Sequence, residues 1–360
     1  MLEHVISLFN FNATSSAILG GVISFTTCVL LVSTEKFHGA YTMDYPLGVQ
    51  KFHKLATPRV GGFSIYFAAA VAWYFADADY QPLLGVILLA GLPAFIAGFL
   101  EDLLKKVNVL SRLIATICSA FIAWWMTGYS ITHLDVFGID TLLKYKFVAV
   151  AFTFFAVAGL TNAINILDGF NGLASTTAML ALSGFALIAY QVGDKQLVGL
   201  CLILVACVLG FFWVNWPFGR LFMGDGGSYF VGFSVAWVAV MLVERNAQVS
   251  PFVALLVCLH PVTEVIFSAT RRFIQGSPIT EPDNAHFHSL VRLRLIESWF
   301  PHLSQTMRNS LTGLTVGLFS FYSVVIAFYF YDSTLACVIA CLAFVSGYVF
   351  FYFRLLNLKA

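Results

Sequence analysis

Apolar residues in this chain come in long uninterrupted runs, and the polar residues are pushed into the gaps between them. Eleven runs can be marked, at 16–34, 61–76, 82–100, 110–127, 146–160, 172–190, 197–214, 229–243, 251–268, 311–331 and 334–353. Most approach the roughly 17 to 25 residues that a helix needs to cross the hydrocarbon of a bilayer. A backbone in that medium must satisfy its hydrogen bonds internally, which a helix does within one segment. The pattern therefore predicts an all-α, polytopic helical bundle of about eleven transmembrane helices. Several runs are short and glycine-rich, which leaves ten as the alternative count. No soluble domain, long linker or repeat interrupts the runs, so residues 1–360 read as a single integral membrane domain.

The gaps carry the charges unevenly. With the N-terminus outside, alternate gaps face the cytoplasm and hold fifteen of the nineteen Lys and Arg residues, leaving Lys144, Lys146, Lys195 and Arg245 on the other side. Positive charge collects on the cytoplasmic side of membrane proteins, so this split predicts a periplasmic N-terminus. Composition agrees with embedding: 60% of the chain is hydrophobic and 10% charged, too little polar surface for a soluble protein of 360 residues. The net charge of +1 offers no basic surface to nucleic acid and points instead to membrane lipid and a small ligand as partners. Seven cysteines sit inside apolar stretches without Cys-x-x-Cys spacing and read as small core residues.

Five polar segments fall on the predicted cytoplasmic side: KFHKLATPRVGG (51–62), GFLEDLLKK (98–106), TNAINILDGFNGLA (161–174), FMGDGGS (222–228) and PDNAHFHSL (282–290). Glu101 and Asp102 are adjacent carboxylates at a membrane face, costly unless a cation or a partner neutralises them, with Lys105 one turn beyond. They suit Mg²⁺ or a general base, or else form a solvated helix end. Asn162, Asn165, Asp168 and Asn171 recur every third position, a spacing that lines one side of a helix end or tight loop. Amides there can bind sugar hydroxyls or phosphate and Asp168 a metal; the bland alternative is a capped helix junction. Asp225 stands among glycines able to present backbone N–H groups to an anion, or in an ordinary turn. Lys54 and Arg59 could anchor headgroups. His286 and His288, in the same loop region as Arg271 and Arg272, make a basic patch suited to diphosphate, and their spacing without further ligands argues against zinc. Glu264 lies inside a span, where an ionisable residue is a functional candidate, although pairing with Arg271 would be structural.

Taken together and in order, TPRVGG, EDLLK in the place of Asp-Asp-x-x-Lys, NAINILDGFNGLA, GDGGS and HFH resemble the polyprenyl-phosphate N-acetylhexosamine-1-phosphate transferase family. The resemblance implies a multi-pass enzyme of the bacterial inner membrane with its active site cytoplasmic. Such an enzyme transfers a sugar 1-phosphate from a UDP-N-acetylhexosamine to undecaprenyl phosphate and releases UMP. The product would initiate a cell-envelope polysaccharide such as O-antigen. Mg²⁺ is the implied cofactor, with Mn²⁺ as the alternative, and a homodimer is an assembly the reading allows. By position, Glu101 and Asp102 match the acidic pair, Lys105 the motif lysine, Asp168 and Asp225 the aspartates at metal and nucleotide, and Asn162, Asn165 and Asn171 the polar stripe beside them. Phe222 matches an aromatic placed on uracil, and His286 and His288 match the histidines near the diphosphate. Glu101 in place of aspartate changes the reach of the pair. Ser289 in place of a third histidine argues against a muramyl-pentapeptide substrate and for a smaller N-acetylhexosamine. The rival class is a transporter or channel, which would concentrate its polar groups near mid-membrane rather than at one face.

Overall fold

Long apolar segments without charged interruption have one way to bury their backbone, and all eleven runs are helical in the computed structural model. It describes residues 11–45, 56–277 and 285–358. Among the described residues, nine helices are long and apolar enough to cross a membrane. Pro251–Val257 and Leu259–Ile274 meet at an angle of 74°, a broken span or a re-entrant loop, so the candidate crossings number nine, or ten if the pair counts as one span. The run at 61–76 accounts for the difference from eleven. Gly61–Tyr74 has 14 residues, about 21 Å at the helical rise, short of the roughly 30 Å hydrocarbon. The only strand pairing among the described residues is antiparallel, Met43–Asp44 with Thr57–Pro58. It is continued by the Arg59 N–H donating to the Thr42 carbonyl at 2.9 Å.

Gly224–Arg245 is the hub. It is apolar all round, which is the signature of a helix with no solvent face, and every residue from Gly224 to Val243 is buried. Gln81–Leu104, Lys146–Leu167, Gly61–Tyr74 and Leu173–Gln191 pack around it. Its 22 residues measure about 33 Å, so its two ends mark opposite faces of the bundle. The Gly224 end gathers the polar motifs, and at the far end Arg245 is bonded to Asp194 at 2.7 and 2.9 Å.

Two close approaches fix the Gly224 end. A Cβ at Gly62 would lie 2.1 Å from the Gly227 nitrogen, and one at Gly98 would lie 2.5 Å from the Asp225 carbonyl. Backbone therefore meets backbone on two sides of the hub, which only glycine permits. The Gly61 and Gly62 N–H groups donate to the Phe222 and Met223 carbonyls at 2.9 and 2.8 Å. Six cysteines are buried as expected, but Cys118 is exposed on the Val109–Thr127 helix.

Candidate active site

Asp102 lies in the last turn of Gln81–Leu104, inside the helix rather than beyond it, and is 1% exposed. Its two oxygens accept the backbone N–H groups of Asp225 at 2.9 Å and Gly226 at 2.8 Å. The first turn of any helix leaves N–H groups without intrahelical partners and carries partial positive charge. Asp102 supplies both the acceptors and the negative charge, from another helix. Arg59, brought alongside by the strand pair, places its Nε 3.2 Å from Asp102 Oδ1.

Asp225, in the first turn of the hub and also buried, holds two guanidiniums: Arg59 on one oxygen and Arg112 on the other. Asn165 donates to the same carboxylate at 3.3 Å and to the Ser228 hydroxyl at 2.7 Å. Asp168 forms the C-cap of Lys146–Leu167. Burial raises its carboxyl well above the usual carboxylate range; Arg59 pulls against this, and the like charges of Asp225 and Asp102 add to it. Three carboxylates thus share one region with two arginines. Oxygen donors are what a hard divalent cation such as Mg²⁺ selects, and Asp168 supplies them here beside Asp225, whose two oxygens are held by the guanidiniums.

Several other residues singled out in the sequence have local partners instead. Glu101 Oε2 accepts the Val107 N–H at 2.6 Å, closing the turn made by Lys105, which is left-handed at φ 55°. The asparagine stripe breaks up, because the helix ends at Leu167 and the chain reverses through Gly172 at φ +81°. Only Asn165 meets an acid of the cluster directly. Asn162 is tied to the Ala158 carbonyl at 2.7 Å and to the Tyr229 hydroxyl at 3.1 Å. Asn171 bonds Ser310 at 3.0 Å, securing the loop to the Gln305–Gly317 helix. Phe222 is half-buried, and its N–H donates to the Pro58 carbonyl at 2.9 Å. Arg271 and Arg272 occupy the last turn of Leu259–Ile274. Lys54 lies outside the described residues.

His288 approaches the cluster from the last loop, with the His286 ring stacked on it. His286 caps the short Phe287–Leu290 helix, with φ −63° and ψ 149°. The two rings stack at 5.1 Å with 5° between planes. Phe287 points the other way and is 1% exposed, 4.8 Å from Tyr348 and 5.4 Å from Phe319 between ring centroids. His288 packs edge-on to Phe170, 5.6 Å between ring centroids, and its Nε2 faces the turn next to Asp168, 3.9 Å from where a Gly169 Cβ would stand. Glu264 is fully buried beneath them and bonds the loop rather than standing alone in its span.

Arg112 is the functional candidate that sequence reasoning missed. It counts there only as one more positive charge, yet it is the second cation on Asp225. Its signal was faint: a single arginine in the first turn of an otherwise apolar helix.

The middle of the chain, residues 84–243, matches the family model described as Glycosyl transferase family 4. That stretch contains Glu101, Asp102, Arg112, Asn165, Asp168 and Asp225, but neither Arg59 nor the histidines. The chain is 29% identical over 244 residues to the probable undecaprenyl-phosphate N-acetylglucosaminyl 1-phosphate transferase of Bacillus subtilis, covering 66% of each chain. It is 29% identical to the phospho-N-acetylmuramoyl-pentapeptide-transferase of Clostridium perfringens over 52% of this chain and 62% of that one. With the undecaprenyl-phosphate alpha-N-acetylglucosaminyl 1-phosphate transferase of Escherichia coli K12 the identity is 28%, over 77% and 76%. The chain thus spans just under two thirds of the first two relatives and about three quarters of the third. The family model and these relatives agree with the resemblance that the motifs suggested.

Proposed function

We propose, from the kinship of this chain with glycosyl transferase family 4, that it transfers an N-acetylhexosamine 1-phosphate from a UDP-sugar to undecaprenyl phosphate. An oxygen of the lipid phosphate attacks the sugar-bearing phosphorus of the donor. The bond from that phosphorus to the bridging oxygen breaks, and its electron pair leaves with UMP. The product is a polyprenyl-diphosphate-sugar, the starting unit of a cell-envelope glycan such as O-antigen. The reaction belongs at the cytoplasmic face of a bacterial inner membrane, where a soluble nucleotide-sugar and a membrane lipid can meet.

The observation that carries this reading is the convergence of Asp102, Asp168, Asp225, Arg59 and Arg112 at the end of a buried, membrane-length helix. Two phosphate-bearing substrates repel each other, and charge builds on the leaving UMP. Fixed positive groups in a water-poor site counter both, because no solvent has to reorganise as charge moves. Mg²⁺, or Mn²⁺ in its place, would be held by Asp168 and Asp225 and would neutralise diphosphate charge. Arg59 and Arg112 hold Asp225 in place, and Asn165 ties it to the hub. Lys105, Arg271, Arg272, His286 and His288 are assigned to the phosphates and Phe222 to the uracil. Asn162 and Asn171, bonded within the fold, shape the walls.

The test is UMP release from a panel of UDP-N-acetylhexosamines in the presence of undecaprenyl phosphate. Release should require both substrates and favour one sugar. No lipid-dependent release from any donor in the panel would overturn the reading.

A further inference from the structure

Glu264 has no role in the transfer as described, yet it is the most thoroughly enclosed acid among the described residues, 0% exposed in the Leu259–Ile274 helix. A carboxylate so placed must be satisfied by donors, or its burial costs several kcal/mol. Its donors come from two directions. The Tyr348 hydroxyl, on the Thr334–Asn357 helix, donates to Oε2 at 3.0 Å. On the other side, Oε1 accepts the Phe287 backbone N–H at 2.9 Å. The same Oε1 lies 3.3 Å from Nδ1 of His286 and 3.4 Å from Nδ1 of His288. His286 Nδ1 is also 3.0 Å from the Ser268 hydroxyl, whereas His288 Nδ1 is buried and makes no hydrogen bond among the described residues, so the Glu264 carboxylate 3.4 Å away is the charged group it faces.

A carboxylate can only accept, so an imidazole nitrogen facing it is favoured with its proton and disfavoured with its lone pair. The tautomer of a histidine is set by whichever bond the other nitrogen makes. We propose that Glu264 is a positioning residue: seated by Tyr348, its carboxylate holds His286 and His288 as a stacked pair with Nδ1 protonated, turning the free Nε2 of His288 toward the Asp168 turn. In the neutral ring, Nε2 is then an acceptor for a proton or a hydroxyl; in the protonated ring it donates to a phosphoryl oxygen. The C-terminal helix braces the same loop a second time, because the Tyr352 hydroxyl donates to the Ala285 carbonyl at 2.9 Å. The geometry of the histidine pair is thus set from outside the stretch of chain that carries the acidic cluster.

The inference rests on the proposed transfer for its catalytic meaning but not for its test. In full-length protein labelled with ¹⁵N-histidine, measured at mildly alkaline pH and assigned with His286→Asn and His288→Asn, both rings should show the Nδ1–H form. Glu264→Gln should shift both toward Nε2–H and lower kcat by roughly 10- to 100-fold, the usual cost of losing an orienting partner, with donor KM little changed. Glu264→Asp should recover part of both signals. Tyr348→Phe keeps the carboxylate and serves if the Gln variant does not fold; it should broaden or partly shift the same two resonances. Unchanged histidine tautomers in Glu264→Gln and Tyr348→Phe would overturn the assignment, as would stoichiometric zinc that Glu264→Gln removes. A protein that shows the tautomers and transfers no sugar phosphate would instead sink the proposed function alone.

Discussion

Asp102 and Asp225 are 123 positions apart, and the carboxylate of the first accepts the backbone N–H of the second. One acid thereby serves as the helix cap that presents the other. Asp102 has both oxygens committed to the hub, so its contribution to chemistry runs through the placement of Asp225. That relationship reshapes what each substitution should do.

Asp102→Asn should lower stability as well as turnover. One amide oxygen can still accept, but the NH₂ group then confronts a backbone N–H, leaving a buried donor unsatisfied at a cost of about 1–3 kcal/mol. The thermal midpoint of purified protein in detergent should fall with UMP release. Unaltered stability with reduced turnover would return Asp102 to a direct role at the lipid phosphate.

Arg112→Ala removes one of the two cations on Asp225 and should cut turnover by roughly 10- to 100-fold, in keeping with about 1.5–3 kcal/mol for a hydrogen bond to a charged group. Arg112→Lys should recover little, since a single ammonium does not reproduce the planar fork. Steady-state UMP release with donor binding measured separately checks both; near wild-type turnover in Arg112→Ala would remove it from the site.

The spans were legible because length and apolarity alone decide whether a segment can sit in hydrocarbon. The Gly61–Tyr74 helix was overcounted because its apolar run reads on through Phe75 and Ala76, where the helix has already ended. Asp168 and Asp225 were legible one by one, as acids in otherwise apolar or glycine-rich surroundings. Their partners were not, since Arg112 meets Asp225 across 113 positions and nothing local marks such a pairing. The asparagine spacing misled because a three-residue repeat implies a face only while the helix continues, and it stops between Asn165 and Asn171.

Metal removal should abolish transfer. Three carboxylates face two guanidiniums in the cluster, so chelation with EDTA should stop UMP release and added Mg²⁺ or Mn²⁺ restore it. Asp225→Asn should cost about two orders of magnitude, the scale of one lost electrostatic contact in the transition state, with partial recovery at high Mg²⁺. Full activity in excess EDTA would exclude the cation.

Orientation can be read by cysteine labelling in intact cells, on a Cys118→Ser background because Cys118 is itself exposed. Ser289 is a poor reporter, being 3% exposed. Lys106 is exposed at the end that carries the acids, and Asp79 is exposed in the turn before Gln81–Leu104. An impermeant thiol reagent should modify Asp79→Cys and spare Lys106→Cys. The reverse would place the acids outside.

Packing at the hub can be separated from chemistry by two glycines with opposite surroundings. At Gly62 a methyl group would arrive 2.1 Å from the Gly227 nitrogen, and the obstacle is backbone, which cannot swing aside as a side chain can. Gly62→Ala must therefore push the Gly61–Tyr74 helix away from the hub. It should destabilise by about 1–3 kcal/mol, the range for overpacking a close contact, and displace Arg59 from Asp102 and Asp225 together. Gly159, on Lys146–Leu167, has nothing within 4 Å of the same hypothetical atom. There alanine meets no obstacle and removes the helical penalty of glycine, so Gly159→Ala should match or exceed the parent in thermal midpoint and turnover. Because neither substitution alters a polar group, a turnover loss confined to Gly62→Ala would be geometric in origin. Equal tolerance at both positions would mean that the backbones of the first and fourth polar motifs do not meet as described, and the route by which Arg59 reaches the acids would have to be redrawn.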